Sequence, residues 1–220
     1  MTTLRSQLNE MKNAFMKKAN PPVLQTMDQA IAALKASGIE ARALGVGQRV
    51  PDVALADVNG QRVNLSMLWQ QGPLVLTFYR GGWCPYCNLE LREWQRHLAQ
   101  IQGQGAQLVA ISPQNPDNSL TTRQKNELDF VVLSDSGLEA AHNFGLLYEL
   151  SPELVSLYRG FGIDLALTNG NGRWSLPIAA TYVIDQDGVV VYAWVDADYR
   201  NRAEPAEVLA ALPTEALLAV

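Results

Sequence analysis

The feature that most constrains this chain is a buried strand that leads directly into a long amphipathic helix. A continuous run of β-prone residues, Leu74–Tyr79, is followed after the short loop Arg80–Trp83 by the clearest helical pattern in the sequence. A run without polar alternation is typical of a strand buried on both faces of a sheet. The next apolar residues recur at intervals of three and four, which places them on one helix face. They are Cys84, Cys87, Leu91, Trp94, Leu98 and Ile101.

The order of strand and helix patterns in the rest of the chain indicates the fold class. Strand and helix patterns alternate up to about residue 135, and a hairpin follows with strands at Thr181–Ile184 and Val189–Val195. Alternation predicts parallel strands covered by helices, and a hairpin adds antiparallel strands. We therefore predict an α/β fold with a thioredoxin-like mixed β-sheet sandwiched by helices.

Two amphipathic helices precede this pattern, within residues 4–34. Asn20-Pro21-Pro22 separates them, with Asn as the expected N-cap and Pro at the first helical positions. The character of the sequence changes at Gly45, after which short β-prone segments begin. We therefore predict an N-terminal helical extension over residues 1–43 and a thioredoxin-fold domain over residues 44–220.

Composition and charge exclude several classes of function. The chain of 220 residues has a formal net charge of -5, which disfavours nucleic acid and anionic membranes as main partners. Its longest apolar runs are strand-sized and fall short of the roughly 18 residues of a membrane span. The first residues contain no continuous apolar stretch typical of a secretory signal. We expect a cytoplasmic protein with no nucleic-acid partner and no membrane partner.

The two cysteines of the chain form one Cys-x-x-Cys motif at the start of the long helix. Pro85 favours the first helical position, which makes Cys84 the N-cap. There the unpaired N–H groups and the positive end of the helix dipole favour thiolate over thiol, and Arg80 is expected to add a positive charge. Cys87 lies on the same helix face, within reach of a disulfide after modest adjustment. It continues the apolar stripe, so we expect it to be the more buried and less acidic thiol.

Redox chemistry is the interpretation that this motif favours. A zinc site needs four ligands, or three and a water, and the sequence holds no second cysteine pair. His97 follows ten residues after Cys87 on the same helix, which is about 15 Å at 1.5 Å per residue. We therefore predict no metal site and no cofactor. Two inert core cysteines remain the alternative to redox chemistry.

Short motifs occur in a fixed order along the second part of the chain: Val46–Asp52, a hairpin ending by Leu68, the strand end Phe78-Tyr79, Cys84, and Tyr182–Gly188. In combination they resemble the alkyl hydroperoxide reductase/thiol-specific antioxidant (AhpC/TSA) superfamily, the peroxiredoxins. The resemblance covers about residues 45–212. It is strongest to the peroxiredoxin-like branch that carries Trp-Cys-Pro-x-Cys.

The resemblance implies a thioredoxin fold and a thiol-dependent peroxidase, an antioxidant oxidoreductase that reduces hydroperoxides. In that family the cysteine at the position of Cys84 attacks the hydroperoxide and becomes a sulfenic acid. Cys87 would then condense with it to a disulfide. Thioredoxin, or glutathione with glutaredoxin, would act as the reductant. A homodimer is also consistent with the resemblance.

The loop before the nucleophile departs from the family pattern Pro-x-x-x-Thr-x-x-Cys. Arg80 stands where the proline would be, Gly81 replaces the threonine, and the family's second-strand arginine falls on Ala179. Two groups that activate the peroxide are therefore absent, and Arg80 or Arg173 would have to replace them. We predict that Arg80 and Trp83 belong to the substrate pocket.

These departures leave two other functions open. Cys-Pro-Tyr-Cys is the glutaredoxin form of the redox motif, which suggests a thiol–disulfide oxidoreductase. Thioredoxins and glutaredoxins place a proline directly before the strand threonine that Thr181 resembles, whereas this chain has Ala180 there and Pro177 three residues too early. The third possibility is a redox-sensing module without turnover, because a fold does not fix a function.

Overall fold

The computed structural model of the chain describes residues 2–213, so residues 214–220 of the predicted second domain lie outside the described part. The helices are α1 (Leu4–Lys18), α2 (Pro21–Ala36), α3 (Ile39–Arg42), α4 (Leu65–Trp69), α5 (Pro85–Gly103), α6 (Pro116–Lys125), α7 (Glu139–Asn143), α8 (Pro152–Gly160), α9 (Leu165–Asn169) and α10 (Pro205–Ala210). The strands are β1 (Ala54–Asp57), β2 (Arg62–Asn64), β3 (Leu74–Phe78), β4 (Gln107–Ser112), β5 (Val131–Ser134), β6 (Leu147–Glu149), β7 (Ser175–Pro177), β8 (Ala179–Ile184) and β9 (Val190–Asp196). None of the helices within residues 2–213 combines the length and the apolar character of a membrane span.

A seven-stranded sheet in the order β2-β1-β5-β4-β3-β8-β9 organises the fold. β3 pairs in parallel with β4, and β4 with β5. β8 and β9 extend the sheet antiparallel at one edge, while β1 and β2 do so at the other. Apolar side chains of the helices form a core on each face of the sheet. The predicted mixed sheet sandwiched by helices is therefore confirmed.

β3 connects the two cores, because each of its residues is buried. Val75 packs in the core that contains Trp94 of α5, whereas Phe78 packs in the core on the opposite face. Thr77 alternates to the same face as Val75, and its hydroxyl donates to the Glu90 carboxylate at an Oγ1–Oε1 distance of 3.2 Å. β3 thus contributes one polar contact to the otherwise apolar layer between the sheet and α5.

The two N-terminal helices pack on the sheet domain. Leu4 and Leu8 of α1 are buried in the same core as α5. Arg5 pairs with Glu207 at an Nη2–Oε1 distance of 3.0 Å, and α2 contacts α8. We keep the division between residues 43 and 44 as a proposal based on the sequence pattern.

The structure has three short elements, β6, β7 and α9, that the sequence pattern does not predict. β6 and β7 form a separate antiparallel ribbon, and α9 occupies Leu165–Asn169. Strands of three residues and a helix of five residues are too short to show a periodic pattern. They are held by the surrounding structure, since Leu176 and Leu165 are buried together in a small third core.

Candidate active site

The loop between β3 and α5 is shaped by close packing around two glycines. Gly81 has φ +144, and a Cβ there would collide with the indole nitrogen of Trp83. A Cβ on Gly82 would collide with the hydroxyl of Thr122, and the backbone N–H of Gly82 donates to the Gln114 amide oxygen at 2.8 Å. The threonine that the family pattern expects at position 81 therefore does not fit this loop.

This loop delivers Cys84 to the N-cap of α5, where the chain is extended with φ -88 and ψ 116, and Pro85 occupies the first helical turn. Both cysteines are free thiols, and their exposed fractions are 1% for Cys84 and 0% for Cys87. Cys87 therefore lies on the buried face of α5, as its place in the apolar stripe predicts. The structure brings both predicted catalytic cysteines into one buried site.

The two thiols differ in acidity because their surroundings differ. Burial raises the pKa of Cys84, but a hydrogen bond with Cys87 and the charges of Arg80 and Arg202 lower it by more, to about 6. Burial and the proximity of Cys84 raise the pKa of Cys87 well above its ordinary value. At neutral pH the negative charge therefore resides on Cys84, and Cys87 carries the proton.

Arg80 is a buried cation beside Cys84. Its Nη1 lies 4.0 Å from Cys84 Sγ, and its guanidinium carbon lies 4.0 Å from the ring centre of Tyr199 and 4.9 Å from that of Trp83. Its Nη2 donates to the Tyr158 hydroxyl. Within the described residues, Arg80 has no ion pair with a carboxylate. Its nearest anionic counter-charge is therefore the Cys84 thiolate.

A second buried arginine, Arg202, serves the other cysteine. Its Nη2 donates to Cys87 Sγ at 3.2 Å, and its Nε donates to Glu90 Oε2 at 2.5 Å. The sequence analysis missed both Arg202 and Glu90. The sequence did contain a signal for this pair. Glu90 follows Cys87 by three residues and therefore lies on the apolar face of α5. An acid at such a buried position is costly without a partner, so its presence indicates a buried cation nearby.

An apolar pocket of about 290 Å³ opens above Cys84 and Arg80. Trp83 and Arg80, our two candidates for a substrate pocket, both line this cavity. The remaining lining is contributed by Met11, Phe15, Met27, Pro85, Tyr86, Tyr158, Phe161, Ile163 and Tyr199. Arg173, the other arginine that we considered, is exposed and is not part of the lining.

The AhpC/TSA family model matches residues 46–193. The chain belongs to the AhpC/TSA family. Chloroplastic peroxiredoxin Q of Triticum aestivum is 27% identical over 169 residues, which are 77% of this chain. The chain spans 65% of that relative's length, which is less than two thirds.

Solved structures of peroxiredoxins share the fold of this AhpC/TSA chain. Peroxidoxin BcpB of Mycobacterium tuberculosis superposes with a TM-score of 0.61 at 23% identity, covering 76% of this chain and 96% of that one. Reduced Prx3 of Vibrio vulnificus, solved in complex with H₂O₂, gives a TM-score of 0.62 at 18% identity, covering 77% and 99%. These superpositions confirm the predicted thioredoxin-like fold.

Several parts of the site lie outside the residues that match the AhpC/TSA model. Phe15 and Met27 of the pocket precede residue 46, while Tyr199 and Arg202 follow residue 193. The family segment supplies both cysteines, Arg80 and Glu90. The site is thus completed by the two flanks of the chain, one on each side of the family segment.

Replacing Arg80→Met should raise the pKa of Cys84, because the cation that stabilises the thiolate is removed. An opposite charge at this range typically changes a carboxyl pKa by about 1 to 3, and we expect an increase of that order. The measurement is the rate of Cys84 alkylation by iodoacetamide as a function of pH, with peptide mapping to separate the cysteines. Arg173→Met is the matched control, and a Cys84 pKa that stays unchanged in Arg80→Met would contradict the assignment.

Proposed function

We propose that this chain is a thiol-dependent peroxidase that reduces hydroperoxides through Cys84. The observation that carries the proposal is the position of a thiolate-favoured cysteine at the base of an apolar pocket, with a guanidinium Nη1 4.0 Å from its sulfur. The pocket admits a small molecule, whereas the residue Cys84 is only 1% exposed. This arrangement favours a small hydroperoxide over a folded protein as the first reactant.

The proposed first step transfers one oxygen atom to sulfur. The Cys84 thiolate attacks the terminal oxygen of the hydroperoxide, the S–O bond forms and the O–O bond breaks. The electron pair of the O–O bond stays on the leaving oxygen, which takes up a proton and departs as an alcohol, or as water from hydrogen peroxide. Arg80 is placed to stabilise the negative charge on that oxygen, because its guanidinium presents fixed paired donors.

The proposed second step closes a disulfide inside α5. Cys87 attacks the sulfenic sulfur of Cys84, the S–S bond forms, and the hydroxyl group leaves as water. The spacing of three residues places the two side chains on one helix face, and each thiol is close enough to shift the pKa of the other. Closing the bond therefore needs only a local rearrangement of the first turn.

The proposed third step returns both cysteines to thiols at the expense of an external dithiol. We propose thioredoxin, or glutathione with glutaredoxin, as the reductant, and the cytoplasm as the compartment in which such thiols are available. Since both sulfurs are buried, a protein reductant requires the first turn of α5 to open. A homodimer stays a prediction from the family resemblance.

Thiol–disulfide exchange is the second candidate function. The observation in its favour is the hydrogen bond from Arg202 to Cys87 Sγ at 3.2 Å, since a donor to the second sulfur stabilises the thiolate that leaves when a disulfide is opened. Burial of Cys84 speaks against a large disulfide substrate. The products formed by peroxide and by glutathione disulfide decide between the two functions.

The two cysteines should give different products when reduced protein is treated with hydrogen peroxide. We expect the wild type to form a Cys84–Cys87 disulfide within one chain, because the sulfenic acid is intercepted by Cys87. Cys87→Ser should accumulate a sulfenic acid on Cys84 that dimedone traps, and Cys84→Ser should stay reduced. Peptide mass spectrometry reads all three outcomes. A covalent dimer, or dimedone on Cys87, would contradict the proposed roles.

The pocket lining predicts faster reduction of cumene hydroperoxide than of hydrogen peroxide, because an aromatic group displaces water from apolar surface. Phe15→Ser should lower the ratio of kcat/KM for cumene hydroperoxide to that for hydrogen peroxide by about tenfold, given the roughly 1–3 kcal/mol that one apolar contact contributes to selectivity. Met16→Ser is the matched control, because Met16 is the next residue of α1 and is exposed. An unchanged ratio in Phe15→Ser would show that the substrate does not use this wall.

A further inference from the structure

The second cysteine belongs to a buried cluster of one cation, Arg202, and two acids, Glu90 and Cys87 itself. The Arg202 side chain is 0% exposed and donates to Cys87 and to Glu90 through separate nitrogens, while Glu90 itself is 1% exposed. Thr77 donates to the other oxygen of Glu90 at 3.2 Å and also contacts the Thr181 hydroxyl at 3.2 Å. Backbone carbonyl groups of residues 199 and 201 accept from the remaining Arg202 nitrogen, which fixes the guanidinium in place.

The charges of this cluster allow only one of the two acids to be ionised. Arg202 supplies one positive charge, which balances either the Glu90 carboxylate or the Cys87 thiolate. A second negative charge would be buried without a partner, which proteins avoid by keeping the group protonated. Moving a proton from Cys87 to Glu90 leaves the total charge of the buried cluster unchanged, so this transfer avoids the cost of burying a new net charge.

We propose that Glu90 accepts the proton of Cys87 when Cys87 attacks Cys84, with Arg202 as the shared counter-ion for both acids. This inference rests on the proposed function, because it takes Cys87 as the residue that attacks Cys84. It does not depend on which group activates Cys84. Arg202 touches the reacting sulfur, and Glu90, which is bonded to the same guanidinium, takes up the proton that Cys87 gives up.

The step balances in atoms and charge. Cys87 transfers its proton to the Glu90 carboxylate, and the resulting thiolate attacks the sulfur of the Cys84 sulfenic acid. The S–S bond forms and the S–O bond breaks, which releases hydroxide. This hydroxide takes up the proton held by Glu90 and leaves as water, so Glu90 returns to its carboxylate. If Cys84 instead carries glutathione, the leaving group is the glutathione thiolate, which takes up the same proton.

The surroundings of Glu90 bring the pKa of its carboxyl group close to neutral pH. Burial raises the pKa of Glu90, opposed by the Arg202 charge and by bonds from Arg202 and Thr77, and the result is about 7. Cys87 of its own helix is the other titratable group that faces it. Cys87 in turn is faced by Cys84, Arg202 and Arg80. Below that pKa Glu90 is protonated and accepts nothing, so disulfide closure should accelerate as pH rises through about 7.

The test follows disulfide closure separately from the oxidation of Cys84. Reduced full-length protein is mixed with excess hydrogen peroxide, quenched at intervals and analysed by mass spectrometry, which counts sulfenic acid and disulfide separately. In the wild type we expect the closure rate to rise with pH through about 7. In Glu90→Gln we expect closure to slow by about tenfold or more at neutral pH, and this rise to disappear, because the proton acceptor is gone.

Two further variants separate proton transfer from a merely structural effect. Glu93→Gln is the matched control. Glu93 is a buried residue of the same helix, but its carboxylate accepts a hydrogen bond from Arg96 at 2.8 Å and not from Arg202. Disulfide closure in Glu93→Gln should therefore keep the wild-type dependence on pH. Arg202→Lys keeps the positive charge but loses the guanidinium that contacts both Cys87 and Glu90. Disulfide closure should therefore slow, while its rate should still rise with pH. A wild-type pH profile in Glu90→Gln would overturn the proposal.

A parallel measurement distinguishes failure of this inference from failure of the proposed peroxidase. Glutathione disulfide replaces hydrogen peroxide, so that Cys84 first forms a mixed disulfide and Cys87 then closes the ring. If peroxide produces no sulfenic acid in the wild type, the peroxidase proposal fails. The glutathione series then still reports the closure step. If both series lack the rise near pH 7 in the wild type, the Glu90 proposal fails whatever the first reactant is.

Discussion

The charge of Arg80 is buried beside Cys84, at an Nη1–Sγ distance of 4.0 Å, without an ion pair to a carboxylate among residues 2–213. A buried cation is costly unless an anion or a set of donors and rings compensates it. Here the compensation comes from the aromatic rings of Trp83, Tyr158 and Tyr199 and from the thiolate of Cys84. The Cys84 thiolate thus shares in compensating the buried guanidinium, and the same contact lowers the pKa of the cysteine.

Arg202 applies the same principle to the second sulfur with a different partner. Its charge is already balanced by Glu90 at 2.5 Å, so Cys87 receives a hydrogen bond without being forced to ionise. The two arginines therefore help to separate the acidities of two cysteines that belong to one helical turn. The surroundings of both cysteines include the flanks of the chain, because Arg202 and Tyr199 follow the family segment and Phe15 precedes it.

The sequence predicts what depends on near neighbours along the chain. The β3 strand, the loop, the N-cap position of Cys84 and the mixed sheet follow from periodicity and from Pro85, and the structure has them in these places. The apolar stripe also correctly assigns Cys87 to the buried face. Such features can be predicted because residues close together in the sequence determine them.

The parts that the sequence does not predict depend on distant contacts. Arg202 and Cys87 are 115 positions apart, and the pocket joins Phe15 to Tyr199 across almost the whole chain. Neither contact leaves a periodic signal, since each is decided by how α1 and the segment after β9 pack around α5. The ribbon of β6 and β7 is missed for another reason, because three-residue strands are too short to show alternation.

The most direct measurement of the central claim is the rate at which hydrogen peroxide oxidises Cys84 in the reduced wild type near neutral pH. The rate constant is expressed per thiolate and divided by that of a free thiolate of similar pKa. One preorganised donor to the developing charge is typically worth about 10²–10³ in rate, so a site built by Arg80 should exceed the free thiolate by about that factor. A rate constant equal to that of the free thiolate would show that the buried guanidinium lowers the pKa of Cys84 without activating a peroxide, and would contradict the account.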